Sequence, residues 1–129
     1  MISPLEIAAA LRTVDSKVSD PTPEQIAIIS APLEPAVVIA GAGSGKTETM
    51  SARVLWLVAN KIVRPDEILG LTFTRKAAGE LSIRVRKRLR QLKEAGLLDK
   101  NLALDTSPSG SLVASIPNRI ACSLIIRPA

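Results

Sequence analysis

Residues Val37 to Met50, VVIAGAGSGKTETM, set three glycines within five positions between an apolar run and a stretch free of Gly and Pro. Few arrangements constrain a chain more. Val37 to Ala40 belong to AVVIA, Ala36 to Ala40, which is β-branched and apolar throughout and reads as a strand buried on both faces. Lys46 to Asn60 reads as a helix, with Met50, Val54, Leu57 and Val58 on one side and Asn60 as its stop. The turn between them fits Gly-x4-Gly-Lys-Ser/Thr, with Ala40 at the first glycine position. Glycines at 41, 43 and 45 let the backbone fold tightly enough for the N–H groups of Ala42 through Thr47 to converge on one anion. A helix starting near Gly45 adds its unpaired amides and the positive end of its dipole. Lys46 then reaches the outer phosphates of a nucleotide, and the Thr47 hydroxyl meets Mg²⁺. Gly41, Ala42, Gly43, Ser44, Gly45, Lys46 and Thr47 are the candidate phosphate-binding residues, with Lys46 also catalytic and Thr47 the metal ligand.

A second apolar run, ILGLTF from Ile68 to Phe73, follows the helix. Strand, helix, strand in this order predicts a βαβ unit, hence an α/β fold with a parallel sheet and a right-handed crossover. Two short helices are expected ahead of it, one over Pro4–Arg12 and one opened by TPEQ, where Thr22 suits an N-cap and Pro23 the first helical position. From Lys76 to about Ala95, Ala78, Leu81, Val85, Leu89 and Leu92 recur at steps of three and four, so a long helix is expected, ended by Gly96. After Asp105 the chain becomes rich in serine and proline, without a clean period.

Charge narrows the partners. The net charge is +5, yet Arg75 to Lys93 alone carries eight cations (75, 76, 84, 86, 87, 88, 90 and 93) against Glu80. Arg86, Lys87, Arg90 and Lys93 are expected to point away from the apolar stripe. They suit either phosphate contact or a merely solvated face. The lack of histidine and the single cysteine, Cys122, exclude a Cys/His zinc site, a histidine triad and an internal disulfide. No apolar run approaches the ~20 residues that cross a bilayer, so a cytoplasmic chain without membrane contact is expected.

Two segments flank the glycine turn. Gln25 of TPEQ can donate to and accept from an adenine edge, and it can equally close a capping box on Thr22. At the carboxyl end of the second strand, Thr72, Phe73, Thr74 and Arg75 emerge on the edge where parallel sheets bind ligands. Phe73 suits stacking on a base, or closing the core.

In series, PTPEQ, AGAGSGKT and LTFTRKAAGEL resemble the start of the superfamily 1 DNA helicases of the UvrD, PcrA and RecB type, over roughly Pro21 to Leu98. The resemblance implies an incomplete RecA-like P-loop NTPase domain that takes ATP and Mg²⁺, with Gln25 on adenine. It also implies that Thr72, Phe73, Thr74 and Arg75 touch single-stranded DNA, although many relatives carry Asn at the Arg75 position. Full-length relatives translocate 3′ to 5′ by closing two RecA-like domains, and some work beside a helicase–nuclease partner subunit. The acidic pair, the histidine-bearing segment and the second motor domain of that machinery have no counterpart in this sequence. LALD with Asp105 lacks the second carboxylate. The expected organisation is a helix and connector over 1–20, a partial ATP-binding domain over 21–105 and a divergent tail over 106–129, inactive as a helicase by itself. A small free-standing P-loop NTPase or kinase, and a basic nucleic-acid-binding module with a vestigial loop, are the alternatives.

Overall fold

Three of the four helices found among the described residues begin on a hydroxyl that binds their own first turn; the fourth begins on a glycine that cannot. The computed structural model describes residues 1–39, 45–72, 74–99, 113–115 and 123–126. Helix α1, Pro4–Val14, is capped by Ser3, whose backbone N–H in turn donates to Glu6 Oε2 at 2.6 Å. Ile7, Ala8 and Leu11 form its buried face. Helix α2, Pro23–Ile29, is capped by Thr22. Helix α3, Lys46–Ala59, starts at Gly45 with no side-chain cap.

The second half of α3 is buried all round, from Val54 through Ala59, as suits a helix wrapped by the other three. Asn60 ends it as expected and does more. Its Oδ1 accepts the Ile2 N–H at 2.7 Å, while its Nδ2 donates to the carbonyls of Ile2 and Trp56. A short 3₁₀ turn, Pro65–Glu67, leads into strand β1, Ile68–Thr72.

Helix α4, Arg75–Glu94, buries Ala78, Leu81, Val85, Leu89 and Leu92, so the predicted stripe is the core face. Gly96 adopts φ +87, letting its N–H reach the Lys93 carbonyl and the Leu97 N–H the Leu92 carbonyl. This left-handed closure is how glycine stops a helix. Strands β2, Val113–Ser115, and β3, Ser123–Ile126, complete the described elements.

The α/β expectation is corrected here. Helices of 11, 7, 14 and 20 residues outweigh strands of 5, 3 and 4, and the chain does not show a RecA-like fold built on a parallel sheet. The strands form one small mixed sheet in the order β2-β1-β3. Gly70 pairs with Val113 on one side in parallel, and Ile68 with Ile126 on the other in antiparallel sense. No strand precedes the glycine turn over residues 36–39, where Val37 is 88% and Ile39 94% exposed. The βαβ unit is therefore not formed. Both sides of β1, the strand that the βαβ reading would pair with AVVI, are taken by segments from the tail. The hydrophobic core lies instead where α1, α3 and α4 meet, with Leu57 and Leu92 fully buried. Among the described residues no helix is long and apolar enough to cross a membrane.

Candidate nucleotide site

Gly45 sits at φ +79, a left-handed conformation that an L side chain adopts only at a cost. It is also crowded. A Cβ built there would lie 3.0 Å from Nε2 of Gln25. The backbone hand is what calls for glycine; the close approach is to the tip of a side chain that can shift. Among the described residues no side chain caps the first turn of α3, and such a turn presents backbone N–H groups that an outside acceptor can satisfy. Thr49 Oγ1 and N–H both donate to the Gly45 carbonyl, at 2.9 Å each, anchoring the turn from below.

Gln25 resolves the two readings of its sequence position by using different atoms. The Thr22 N–H donates to Gln25 Oε1 at 2.9 Å, and the Gln25 N–H donates to Thr22 Oγ1 at 3.2 Å, so the capping box is present. That box occupies the amide oxygen and leaves Nε2 beside Gly45. Helix α2 is held in place at its other end by Arg53 of α3. Arg53 donates to the carbonyls of Ile28, Ile29, Ala31 and Pro32 at 2.9–3.2 Å. Its partial burial pushes the guanidinium pKa down from the ordinary arginine range.

A cavity of about 240 Å³ opens between α1, the connector, α2 and the start of α3. Ile7, Leu11, Ile29 and Leu55 give it an apolar floor; Asp20, Gln25, Gly45 and Glu48 contribute its polar lining. Its lining is an apolar body with a few polar groups at the rim. Glu48 is tied from outside by α4. Arg84 Nη1 donates to its Oε2 at 2.8 Å, and Arg88 Nη2 lies 3.8 Å from its Oε1. Arg88 also meets Asp15 at 3.3 Å. The Lys17 backbone N–H is the main influence holding the Asp15 carboxyl below its ordinary pKa, with Arg88 adding to it.

Of the residues expected at the site, Lys46 and Thr47 are exposed in the first turn of α3, and Gln25 and Gly45 adjoin each other. Gly41, Ala42, Gly43 and Ser44 lie outside the described residues, as do Phe73 and Asp105. Thr72 is the last residue of β1. Thr74 is the N-cap of α4, its hydroxyl accepting the Ala77 N–H at 3.1 Å, and Arg75 is the exposed first residue of that helix. The basic helix divides. Lys76, Lys87 and Arg90 are exposed, but Arg84 and Arg88 are engaged by carboxylates of α3 and the α1 terminus. Arg86 and Lys93 are half-buried rather than on the free face, because α4 also packs against β2. Glu48 and Arg53 escaped the sequence reading, and Arg84 was counted there only as one of the cations of the basic helix. An acid in a first turn or an arginine in mid-helix carries no local sign of a partner 21 to 36 residues away.

The sequence profile of the UvrD/REP helicase N-terminal domain matches residues 21–118. The chain belongs to the UvrD/REP helicase family. DNA helicase IV of Escherichia coli (strain K12) is 38% identical over 103 residues, covering 70% of this UvrD/REP chain and 15% of the relative. ATP-dependent DNA helicase UvrD2 of Mycobacterium bovis is 44% identical over 63 residues, 49% of this chain and 9% of the relative. ATP-dependent DNA helicase PcrA of Staphylococcus aureus (strain Mu50 / ATCC 700699) is 42% identical over 64 residues, 50% of this chain and 9% of that protein. The UvrD/REP chain thus spans less than a sixth of these relatives, and its profile match runs from the segment ahead of Gln25 past the basic helix.

Proposed function

We propose that this chain is the ATP-binding N-terminal portion of a UvrD-like DNA helicase, carried by residues 21–105. The observation that carries the reading is the meeting of Gln25 Nε2 with Gly45 at the uncapped start of α3. It brings an amide donor and a helix N-terminus to one cavity in a chain of this family. The triphosphate lies on the amides of Gly41 through Thr47, and the Lys46 ammonium follows charge on the outer phosphates. Magnesium, when bound, would supply positive charge that stabilises the phosphates. The exposed Thr47 hydroxyl would hold such a hard, oxygen-seeking cation. Gln25 holds the base edge through Nε2, its oxygen being committed to the cap. Single-stranded DNA follows Thr72, Phe73, Thr74 and Arg75, with Lys87 and Arg90 as exposed cations further along α4.

The 129 residues by themselves are expected to take up nucleotide without driving translocation. Calorimetry with a non-hydrolysable ATP analogue tests the first part: magnesium-dependent uptake that vanishes in Lys46→Ala. An ATPase assay with single-stranded DNA tests the second. Turnover at background is expected, and vigorous DNA-stimulated hydrolysis abolished by Lys46→Ala would show the chain to be catalytically complete.

A further inference from the structure

Helix α4 turns one face away from the core, and that face is neither uniformly polar nor of one charge. Lys76, Glu80, Ile83, Lys87, Arg90 and Glu94 recur at alternating steps of four and three, opposite the buried stripe, and all are exposed. Ile83, in their middle, is 68% exposed. Among the described residues none of the five charged side chains has an ion-pair partner, whereas Arg84 and Arg88 beside them are engaged by Glu48 and Asp15. Gly79 adjoins the same face in mid-helix, where glycine weakens a helix relative to alanine. A Cβ there would meet nothing within 4 Å, so packing among the described residues does not call for the missing side chain. The order of charges along the face complements itself when reversed. In an antiparallel pair that sets Lys76 level with Glu94 of a second copy, Glu80 falls level with Arg90, because four residues separate the charges at each end. A two-fold axis repeats both contacts. Ile83 then faces the stem of Lys87, and at 1.5 Å of rise per residue the two copies of Ile83 lie about 6 Å apart along the axis. Gly79 comes level with Gln91 and lets the second helix approach on that flank. A parallel pair in register sets every charge against its like. Slipping the antiparallel pair by one turn sets Lys76 against Arg90 or Glu80 against Glu94.

We propose that a second copy of this chain docks on this face, α4 against α4, in an antiparallel pair that uses the same patch of both copies. Charge complementarity selects a second copy over DNA. A run of phosphates is repelled by Glu80 and Glu94, whereas the paired helix turns both acids into contacts. Exposed ion pairs set register more than they add affinity, and one helix pair is a small interface. The dimer is therefore transient, in the micromolar-to-millimolar range. Lys87 and Arg90 are also the cations offered above to single-stranded DNA, so a strand and a second copy compete for them. Nucleotide uptake plays no part in the contact.

The test is sedimentation equilibrium of the full chain at rising concentration, in low and in high salt, with circular dichroism to follow the helices. The parent is expected to show a monomer–dimer equilibrium that weakens as salt is added. Arg90→Glu sets Glu80 against an acid on both sides of the axis and is expected to weaken association by about tenfold or more, as is Glu80→Arg. The double variant exchanges the signs of the pair and is expected to return association to within about threefold of the parent. Residues 80 and 90 are exposed and more than two helical turns apart, so this recovery does not arise from a contact within one chain. A parent that stays monomeric overturns the proposal, and if Glu80→Arg then tightens binding of a single-stranded oligonucleotide, the face belongs to DNA. Association that ignores both single variants, or a double variant as weak as either, overturns it as well. Association abolished only by Ile39→Lys does the same and assigns self-contact to the exposed run Val37 to Ile39.

Discussion

Replacing Gly45 by alanine should destabilise the chain by about 1–3 kcal/mol, from two separable causes. The first is backbone hand: a residue with a Cβ held near φ +79 costs about 1–2 kcal/mol. The second is crowding. The new methyl would lie 3.0 Å from Gln25 Nε2, closer than ordinary contact, so the amide must move by a few tenths of an ångström. Its oxygen is fixed by the Thr22 N–H, so that movement loosens the capping box, a device whose loss costs about 0.5–2 kcal/mol. Urea denaturation of the parent, Gly45→Ala, Gln25→Ala and the double variant isolates the second cause. If the two residues touch, the alanine penalty shrinks by roughly 0.5 kcal/mol or more once Gln25 is removed. The conformational part remains in both backgrounds. A penalty identical with and without Gln25 would refute the contact, and with it the placement of the glutamine at the mouth of the phosphate turn.

Arg53→Ala should lower stability by about 1–3 kcal/mol, because four carbonyls at the end of α2 lose a charged donor. Arg53→Lys recovers little, since one ammonium cannot span the same set, and thermal unfolding of both variants checks this. Acid should loosen α1 first. Glu6 and Asp15 both have pKa values held below the ordinary 4.5 and 3.8, Glu6 mainly by the Ser3 backbone N–H and Asp15 mainly by that of Lys17. Their contribution is therefore complete above those values and fades as pH falls through the lowered ones. Helicity of Glu6→Gln and Asp15→Asn, followed from pH 6 to 2, should show a weaker dependence than the parent.

Much of the helical half of the molecule was legible from residues alone. The α4 stripe and its glycine stop depend only on spacing and on one residue's freedom to turn left, and both appear as expected. The strand expected over AVVI was misread because its pattern describes what a buried strand requires, not whether a place beside β1 is left for it. That depended on Val113–Ser115 and Ser123–Ile126, short runs in a serine- and proline-rich tail with no periodicity to announce them. At the site, Gln25 was visible as a cap and as an amide near the loop, but only coordinates show that its two ends divide the tasks. Glu48 illustrates the opposite limit. Its local surroundings are those of any first-turn acid, and its meaning comes from arginines on another helix.

The pairing of β1 also dictates an order of assembly. Each of its neighbours is translated after all four helices, so a nascent chain can gather its helical core on the ribosome while the middle strand waits bare. Closure of the sheet then follows the gathering of the helices, and a stop codon ahead of residue 113 would leave that strand without either neighbour.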